Sequence, residues 1–163
     1  MSEVKDLSAQ EVIEYLGLRP LEGEGGYYRE TWSMPGEPPG PDPQGTAIIY
    51  LVTRESWSAL HRLSYDEVFH FYLGDPCQMV MAREPGEFEE LTLGPAITAG
   101  QRVQHVVPAG WWQGTQLAQG GRWALLGTTM APGFRPDIFE LADASMLGAF
   151  SANIRGNLAT YLP

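Results

Sequence analysis

The chain is 163 residues long, and its 20 acidic and 10 basic side chains give a formal net charge of -10. Such a surface repels nucleic acid and anionic membranes, and the single cysteine excludes a disulfide framework and a thiolate zinc site. The longest apolar run, residues 47–52, is far shorter than the roughly 18 residues of a membrane-spanning helix. The acidic, polar start does not resemble a signal peptide. We therefore expect one cytoplasmic domain over residues 1–163 that acts on small molecules or on other proteins.

Short helices are predicted near both ends of the chain. Ser8 and Glu11 have the spacing of a capping box, an apolar stripe follows, and Gly17 is placed to end the helix. At the other end, residues 143–158 carry apolar side chains at helical spacing, which predicts a second helix.

Two segments before residue 46 are rich in turn-forming residues. Residues 22–26 contain three glycines, but no helical pattern follows and two glutamates would repel a phosphate, so this is not a phosphate-binding loop. Residues 33–45 contain five prolines. Because proline neither donates to a strand ladder nor continues a helix, this segment is predicted to be an exposed loop or lid.

From residue 46 onward the chain alternates short β-type runs with turn signals. The runs begin about ten residues apart, and the absence of helical stretches between them favours a sandwich or barrel over an alternating α/β sheet. The predicted strands cover residues 46–53, 57–63, 67–73, 78–82, 88–93, 102–107, 111–117 and 123–129.

Two polar residues fall on faces that are otherwise apolar. Strand alternation places His61 with Trp57 and Leu63, and it places Glu67 with Phe69. A lone carboxylate among apolar side chains is costly unless it is paired, bound to a cation or neutral. The candidate partners of Glu67 are His61 and a metal ion.

The other reactive side chains carry weaker signals. His70 alternates onto the face opposite Glu67, which predicts a structural role, and His105 precedes a turn near a rim of the fold. Cys77 opens a strand with no histidine beside it in the sequence, so we expect a buried, unreactive thiol.

The spacing of these residues resembles the first cupin motif, His-x-His-x3-Glu-x6-Gly. His61, Glu67 and Gly74 take their places in it, and Leu63 stands where the second histidine belongs. The second motif is echoed by residues 108–113, in which Gln113 replaces the third histidine. Together with the blocks at residues 24–31, 64–76 and 131–134, the chain resembles the cupin 5 subfamily, long described as a domain of unknown function.

The resemblance implies an all-β fold, a cupin-type jelly-roll β-barrel with short terminal helices and a pocket at one end, usually found as a homodimer. In metal-binding cupins the residues at the positions of His61, Glu67 and Gln113 hold Mn, Fe, Ni or Zn, with the second histidine as fourth ligand. Leu63 and Gln113 replace two of those ligands here. One imidazole, one carboxylate and a weak amide oxygen make a poor site for zinc or iron unless water completes it.

Three interpretations of His61, Glu67 and Gln113 stay open: a metal site, metal-free acid/base catalysis, and a hydrogen-bonded pocket lining without chemistry. In the second interpretation His61 and Glu67 are the catalytic pair. The side chains expected to contact the ligand are Phe69, Trp111, Gln113 and Thr115, the last three because they share one strand face. By the same alternation Trp112 faces outward.

Two functions follow from the resemblance and the residues together. The first is a cupin enzyme, an isomerase, epimerase or lyase, that acts through His61 and Glu67 on a small, polar, sugar-like substrate. The second is a non-catalytic cupin that has lost part of its metal-ligand set and keeps the pocket for a small ligand, as Leu63 suggests. The sequence does not identify the ligand.

Overall fold

The computed structural model describes residues 7–36 and 40–163. Two α-helices and eleven strands follow one another along the described chain. Their bounds are α1 Ala9–Leu16, β1 Arg19–Pro20, β2 Tyr27–Gly36, β3 Gly40–Thr53, β4 Ser58–Leu63, β5 Glu67–Gly74, β6 Cys77–Arg83, β7 Glu87–Leu93, β8 Gln104–Val107, β9 Trp112–Leu117, β10 Trp123–Met130, β11 Phe139–Leu141 and α2 Ala152–Ala159.

The strands form two antiparallel sheets. One sheet has six strands in the order β1-β2-β3-β10-β5-β8, and the other has five in the order β11-β4-β9-β6-β7. The eight strands predicted from the sequence correspond to β3 through β10, so the prediction of a mostly β fold with short helices is confirmed. Strand pairing within the described residues does not join the sheets into a closed barrel. The architecture is therefore two packed sheets.

The described parts of the proline-rich segment, residues 33–36 and 40–45, are strand, and the prediction of a loop over residues 33–45 is wrong for them. β2 runs to Gly36 and pairs with β3, which begins at Gly40, and their register shifts between Met34 and Gly36. A bulge interrupts the ladder, which is one of the places where strands tolerate proline. Pro38 and Pro39 lie outside the described residues.

The main core lies between the sheets, and two further cores lie on their outer faces. Between the sheets, side chains of β3, β5 and β10 meet those of β6 and β7. The helix α1 packs on the outer face of the six-stranded sheet, and α2 with the chain after β11 packs on the outer face of the five-stranded sheet. The two helical layers cover the outer faces of the sheets, and the space between the sheets lies on their inner faces.

Both predicted helices form, with one correction. Ser8 and Glu11 make the capping box, and Gly17 ends α1 in the left-handed conformation. The predicted helix over residues 143–158 is instead a 3-10 helix, Ala144–Ala149, followed by α2. Phe150 has extended backbone, because its side chain turns into the core beneath α2, and this breaks the helix.

None of the helices in the described part of the chain combines the length and the apolar character that crossing a membrane requires.

Candidate functional site

A cavity of about 390 Å³ opens between the two sheets. Residues of β1 to β5 and of β10 form its wall, together with the segment that leads into β11. The wall carries four carboxylates, one imidazole, one guanidinium and five aromatic rings. The rings belong to Tyr28, Tyr50, Phe69, Phe134 and Phe139. A concave, mostly apolar space with a few polar groups is the usual form of a small-molecule site.

His61 lies on the cavity wall with one ring nitrogen fixed by the backbone. The residue is 2 % exposed, and its Nδ1 lies 2.8 Å from the Ala59 carbonyl oxygen. Because a carbonyl oxygen only accepts hydrogen bonds, Nδ1 must carry the proton, which leaves Nε2 of the neutral ring unprotonated. Phe139 stacks on the ring with the centroids 5.2 Å apart and holds its plane. The buried imidazole is therefore arranged as a base.

Glu24 lies beside the protonated nitrogen of His61, a role that the sequence pattern does not indicate. Its Oε1 is 3.9 Å from His61 Nδ1 and accepts a 2.7 Å hydrogen bond from the Ser58 hydroxyl. A carboxylate at this position favours the Nδ1-H tautomer and stabilises the ring when Nε2 takes up a proton. Glu24 is thus a positioning residue for His61.

The glycine-rich segment 22–26 is what brings Glu24 to the cavity. Gly25 and Gly26 have positive φ angles of 96° and 74°. A Cβ atom at Gly25 would lie 2.3 Å from the Trp57 carbonyl oxygen, and one at Gly26 would lie 2.4 Å from the Tyr50 hydroxyl. Only glycine allows this conformation and this approach. The glycines on either side of a glutamate were the signal that could have pointed to it.

Glu67 occupies the same cavity and is 7 % exposed. Gln113 Nε2 donates a 2.8 Å hydrogen bond to its Oε2, and Thr128 lies on the same cavity wall. Burial raises the pKa of Glu67, and the charge of Glu24 adds to this, while His61, Thr128 and Gln113 oppose it. The net effect favours the neutral acid.

Three of the residues expected to contact the ligand do not reach the cavity. Phe69 is on its wall, whereas Trp111, Gln113 and Thr115 are not. Gln113 is 1 % exposed and lies behind Glu67, and Thr115 is fully buried with a hydroxyl that has no hydrogen-bond partner among the described residues. Gln113 lies directly opposite His61 in the ladder between β4 and β9, but its amide is turned to Glu67.

The two neighbouring tryptophans pack in different places. Trp111 is half-buried against the core between the sheets and carries the Arg83 guanidinium over its ring at 5.2 Å. Trp112 faces the outside of the sheet, as expected, but α2 and its flanking chain cover it to 2 % exposure. Arg62 lies over the Trp112 ring at 4.7 Å.

The donor set does not fit the metal that the resemblance implied for His61, Glu67 and Gln113. Within residues 7–36 and 40–163 there is no group of three or more histidine, cysteine, aspartate or glutamate residues arranged to hold an ion. Leu63 adds only an apolar wall, and Gln113 directs its amide nitrogen to Glu67 while its buried oxygen has no partner in the described chain. We derive no chemistry through a metal at this site.

The remaining candidate residues lie away from the cavity. His70 hydrogen-bonds Thr129 and Gln104 on the outer face of its sheet. His105 lies between Arg102 and the Met81 sulfur, and burial, followed by the charge of Arg102, lowers its pKa. Cys77 is fully buried, and burial raises the pKa of its thiol, as expected for an unreactive cysteine.

Comparison with solved structures identifies the same fold over nearly the whole chain. A hypothetical protein from Leishmania major is 26% identical, with a TM-score of 0.85 over 96% of this chain and 99% of its own. A protein from Shewanella oneidensis is 29% identical, with a TM-score of 0.88 over 96% of this chain and 98% of its own. Oxalate decarboxylase from Bacillus subtilis, at 14% identity and a TM-score of 0.58, covers all of this chain with 40% of its own length and shows the fold alone.

Family membership comes from a sequence comparison. No curated protein matches the chain. The model of the Cupin_5 family, described as "Cupin superfamily (DUF985)", matches residues 10–142. This match spans both cupin-like motifs, the glycine-rich segment and the strands that build the cavity. The chain therefore belongs to the Cupin_5 family of the cupin superfamily.

Proposed function

We propose that the protein is a metal-independent cupin enzyme that moves a proton on a small polar substrate bound in the cavity, as an isomerase, epimerase or lyase does. The observation that carries the proposal is the fixed tautomer of His61. Its Nδ1 donates to the Ala59 carbonyl, so the nitrogen left for a substrate is the basic one. In the described part of the chain, Nε2 has no protein hydrogen-bond partner.

His61 and Glu67 take complementary roles in this reaction. Nε2 of His61 removes a proton from a carbon of the substrate, and Glu24 stabilises the imidazolium that forms. Glu67 as a neutral acid donates its proton to the substrate oxygen on which negative charge develops, or to the leaving group. An isomerase or epimerase then returns the proton to carbon, whereas a lyase releases the unsaturated product.

A non-catalytic ligand-binding protein is the second candidate. Leu63 supports it, because this residue gives the cavity an apolar surface where the cupin motif has a histidine. Gln113 supports it as well, since its amide satisfies Glu67 without any ligand. In this case His61 and Glu67 would orient a ligand by hydrogen bonds and transfer no proton.

Solvent exchange separates the two candidates without knowledge of the product. The chelator-treated protein is incubated in D₂O with a mixture of small polar metabolites, and NMR follows deuterium incorporation at carbon. We expect the wild type to exchange a C-H position of at least one metabolite and His61→Gln to lose about 10²-fold or more of this rate, the usual contribution of a general base. The matched control is His70→Gln, which makes the same change on the outer sheet face and should keep the rate.

Three results would contradict the proposal. Exchange that depends on an added divalent metal, with about one equivalent bound by elemental analysis and lost in His61→Ala, would restore the metal interpretation. Exchange that survives in His61→Gln would show that His61 is not the general base. A metabolite that binds the cavity without any exchange would favour the ligand-binding candidate.

A further inference from the structure

The charges on the cavity wall are strongly unequal. Three of its four carboxylates follow β1 in the chain, those of Glu22 and Glu24 in the glycine-rich segment and that of Glu30 on β2, and the fourth is Glu67. Glu30 lines the wall with Tyr28, two positions before it, whereas the neighbouring cation Arg29 does not. The part of β2 on the wall therefore contributes a carboxylate and no cationic side chain.

The guanidinium on the wall is already engaged. Arg19 donates from Nη2 to the Tyr28 hydroxyl at 2.9 Å and lies 5.0 Å from the centre of the same ring. Across residues 7–36 and 40–163, no ion pair joins Glu22 or Glu30 to a cationic side chain. These two carboxyl groups therefore line the cavity without a counter-ion from the described chain.

His61 supplies an independent indication of a ligand. Its side chain is 2 % exposed and lies on the wall, yet its Nε2 has no protein partner in the described chain. This nitrogen is open to the cavity and can accept a hydrogen bond from a molecule bound there. The wall beside His61 thus favours a polar group, while the wall at Glu22 and Glu30 favours a positive charge.

We propose that the natural ligand carries a protonated amine, which the carboxylates of Glu22 and Glu30 bind while its reacting part lies against His61. The inference deepens the proposed function, on which its placement of the reacting part rests. Ammonium N-H groups are the donors that free carboxylate oxygens accept, and such charge-assisted hydrogen bonds are stronger than neutral ones. The same charges disfavour phosphates, nucleotides and carboxylic acids.

The preference is testable with a matched series of probes: n-butylamine, n-butanol and butyrate, which differ in the group at the end of one four-carbon chain. Ligand-observed NMR at pH 7 measures their dissociation constants for the full-length protein. We expect the butylammonium ion to bind about tenfold or more tightly than n-butanol, because hydrogen bonds to charged groups exceed neutral ones. Butyrate should bind most weakly.

Variants locate the binding site and separate this inference from the catalytic one. Glu30→Gln and Glu22→Gln should each reduce the preference for butylammonium over n-butanol several-fold. Glu87→Gln, which makes the same change of charge at an exposed position on β7, should leave it unchanged. His61→Gln should keep the preference, since it removes the base and none of the carboxylates.

Equal binding of butylammonium and n-butanol, or tighter binding of butyrate, would overturn the inference. So would the absence of butylammonium binding at millimolar concentrations, or a preference that Glu87→Gln reduces as much as Glu30→Gln does. A preference retained in a protein that shows no solvent exchange would uphold the ammonium site and defeat the proposed catalysis. Solvent exchange without a preference for butylammonium would uphold the proposed catalysis and defeat the ammonium site.

Discussion

The strand pair β4–β5 and the strand β9 share the same period-2 pattern, but the structure uses them differently. β4 and β5 direct His61, Leu63, Glu67 and Phe69 to the cavity. β9 directs Gln113 and Thr115 to the interior as well, but both are completely enclosed by protein. Alternation determines which sheet face a side chain occupies, and it says nothing about depth between the sheets.

Substitutions in the two regions should therefore have different kinds of effect. Side chains of β4 and β5 have polar atoms that face open space, so their substitution should change ligand chemistry. Side chains of β9 contact other side chains on both faces of the sheet, so their substitution should change stability. The following variants test this division, in order of expected effect.

The largest effect is expected for Trp112→Ala on β9. The indole is 2 % exposed beneath α2, and its Nε1 donates a 2.9 Å hydrogen bond to Glu84. Truncating a buried tryptophan leaves a large cavity, and we expect a loss of about 3–5 kcal/mol in the free energy of unfolding. Denaturant-induced unfolding measures it.

Trp111→Ala is the matched control for this variant. Trp111 is half-buried and lies under the exposed Arg83, so its truncation should cost clearly less. Equal losses for the two tryptophans would show that the layer of α2 on the five-stranded sheet contributes little to stability.

A smaller, pH-dependent effect is expected for Glu67→Gln in the cavity. Burial raises the pKa of Glu67 above its ordinary value of 4.5, so the folded protein binds this proton more tightly than the unfolded chain does. The contribution of Glu67 to stability is fully present below pH 4.5 and declines as the pH rises toward the folded-state pKa. The amide keeps an oxygen that accepts from Gln113.

Unfolding measured against pH should show this difference. Glu67→Gln should gain stability relative to the wild type as the pH rises above 4.5, by about 1.4 kcal/mol for each pH unit by which the pKa is raised. The curve of Glu87→Gln, an exposed control, should run parallel to that of the wild type. A constant difference between Glu67→Gln and the wild type at all pH values would mean that Glu67 ionises in the folded protein as it does in solvent.

The sequence predicted the strands with strong patterns and missed those that depend on tertiary pairing. β3 through β10 have apolar residues and turn signals of their own, whereas β1 and β11 contain only two and three residues. β2 is exposed along most of its length and carries no clean alternation of burial. Its pairing with β3 decides its conformation.

The candidate site was predicted only in part, because some of its residues lie in strands with a readable period and another lies in a loop. His61, Glu67 and Phe69 lie within single strands whose period can be read directly. Glu24 reaches the same cavity from a loop, because Gly25 and Gly26 take backbone angles closed to other residues. A sequence period cannot reveal that approach. The homodimer implied by the family resemblance stays a prediction.

The smallest effect compares one substitution, Thr→Val, at position 115 of β9 and at position 128 of β10, which pairs with β5 and shares the cavity wall with it. Both residues are buried, at 0 % and 6 % exposure. The Thr115 hydroxyl on β9 has no hydrogen-bond partner in the described chain, whereas Thr128 on β10 lies on the cavity wall with Glu67 and lowers the pKa of its carboxyl group. Removing a buried hydroxyl without a partner ends an uncompensated desolvation, but removing the Thr128 hydroxyl takes a favourable polar neighbour from Glu67.

The two variants should therefore change stability in opposite directions. We expect Thr115→Val to stabilise the protein by up to about 1 kcal/mol and Thr128→Val to destabilise it by a similar amount, as judged by thermal and denaturant unfolding. Similar losses in both variants would mean that an ordered water bonds the Thr115 hydroxyl, as buried waters commonly do for otherwise unsatisfied groups. In that case the interior side of β9 would contain polar space, and the division between a packed strand and a ligand-facing pair would fail there.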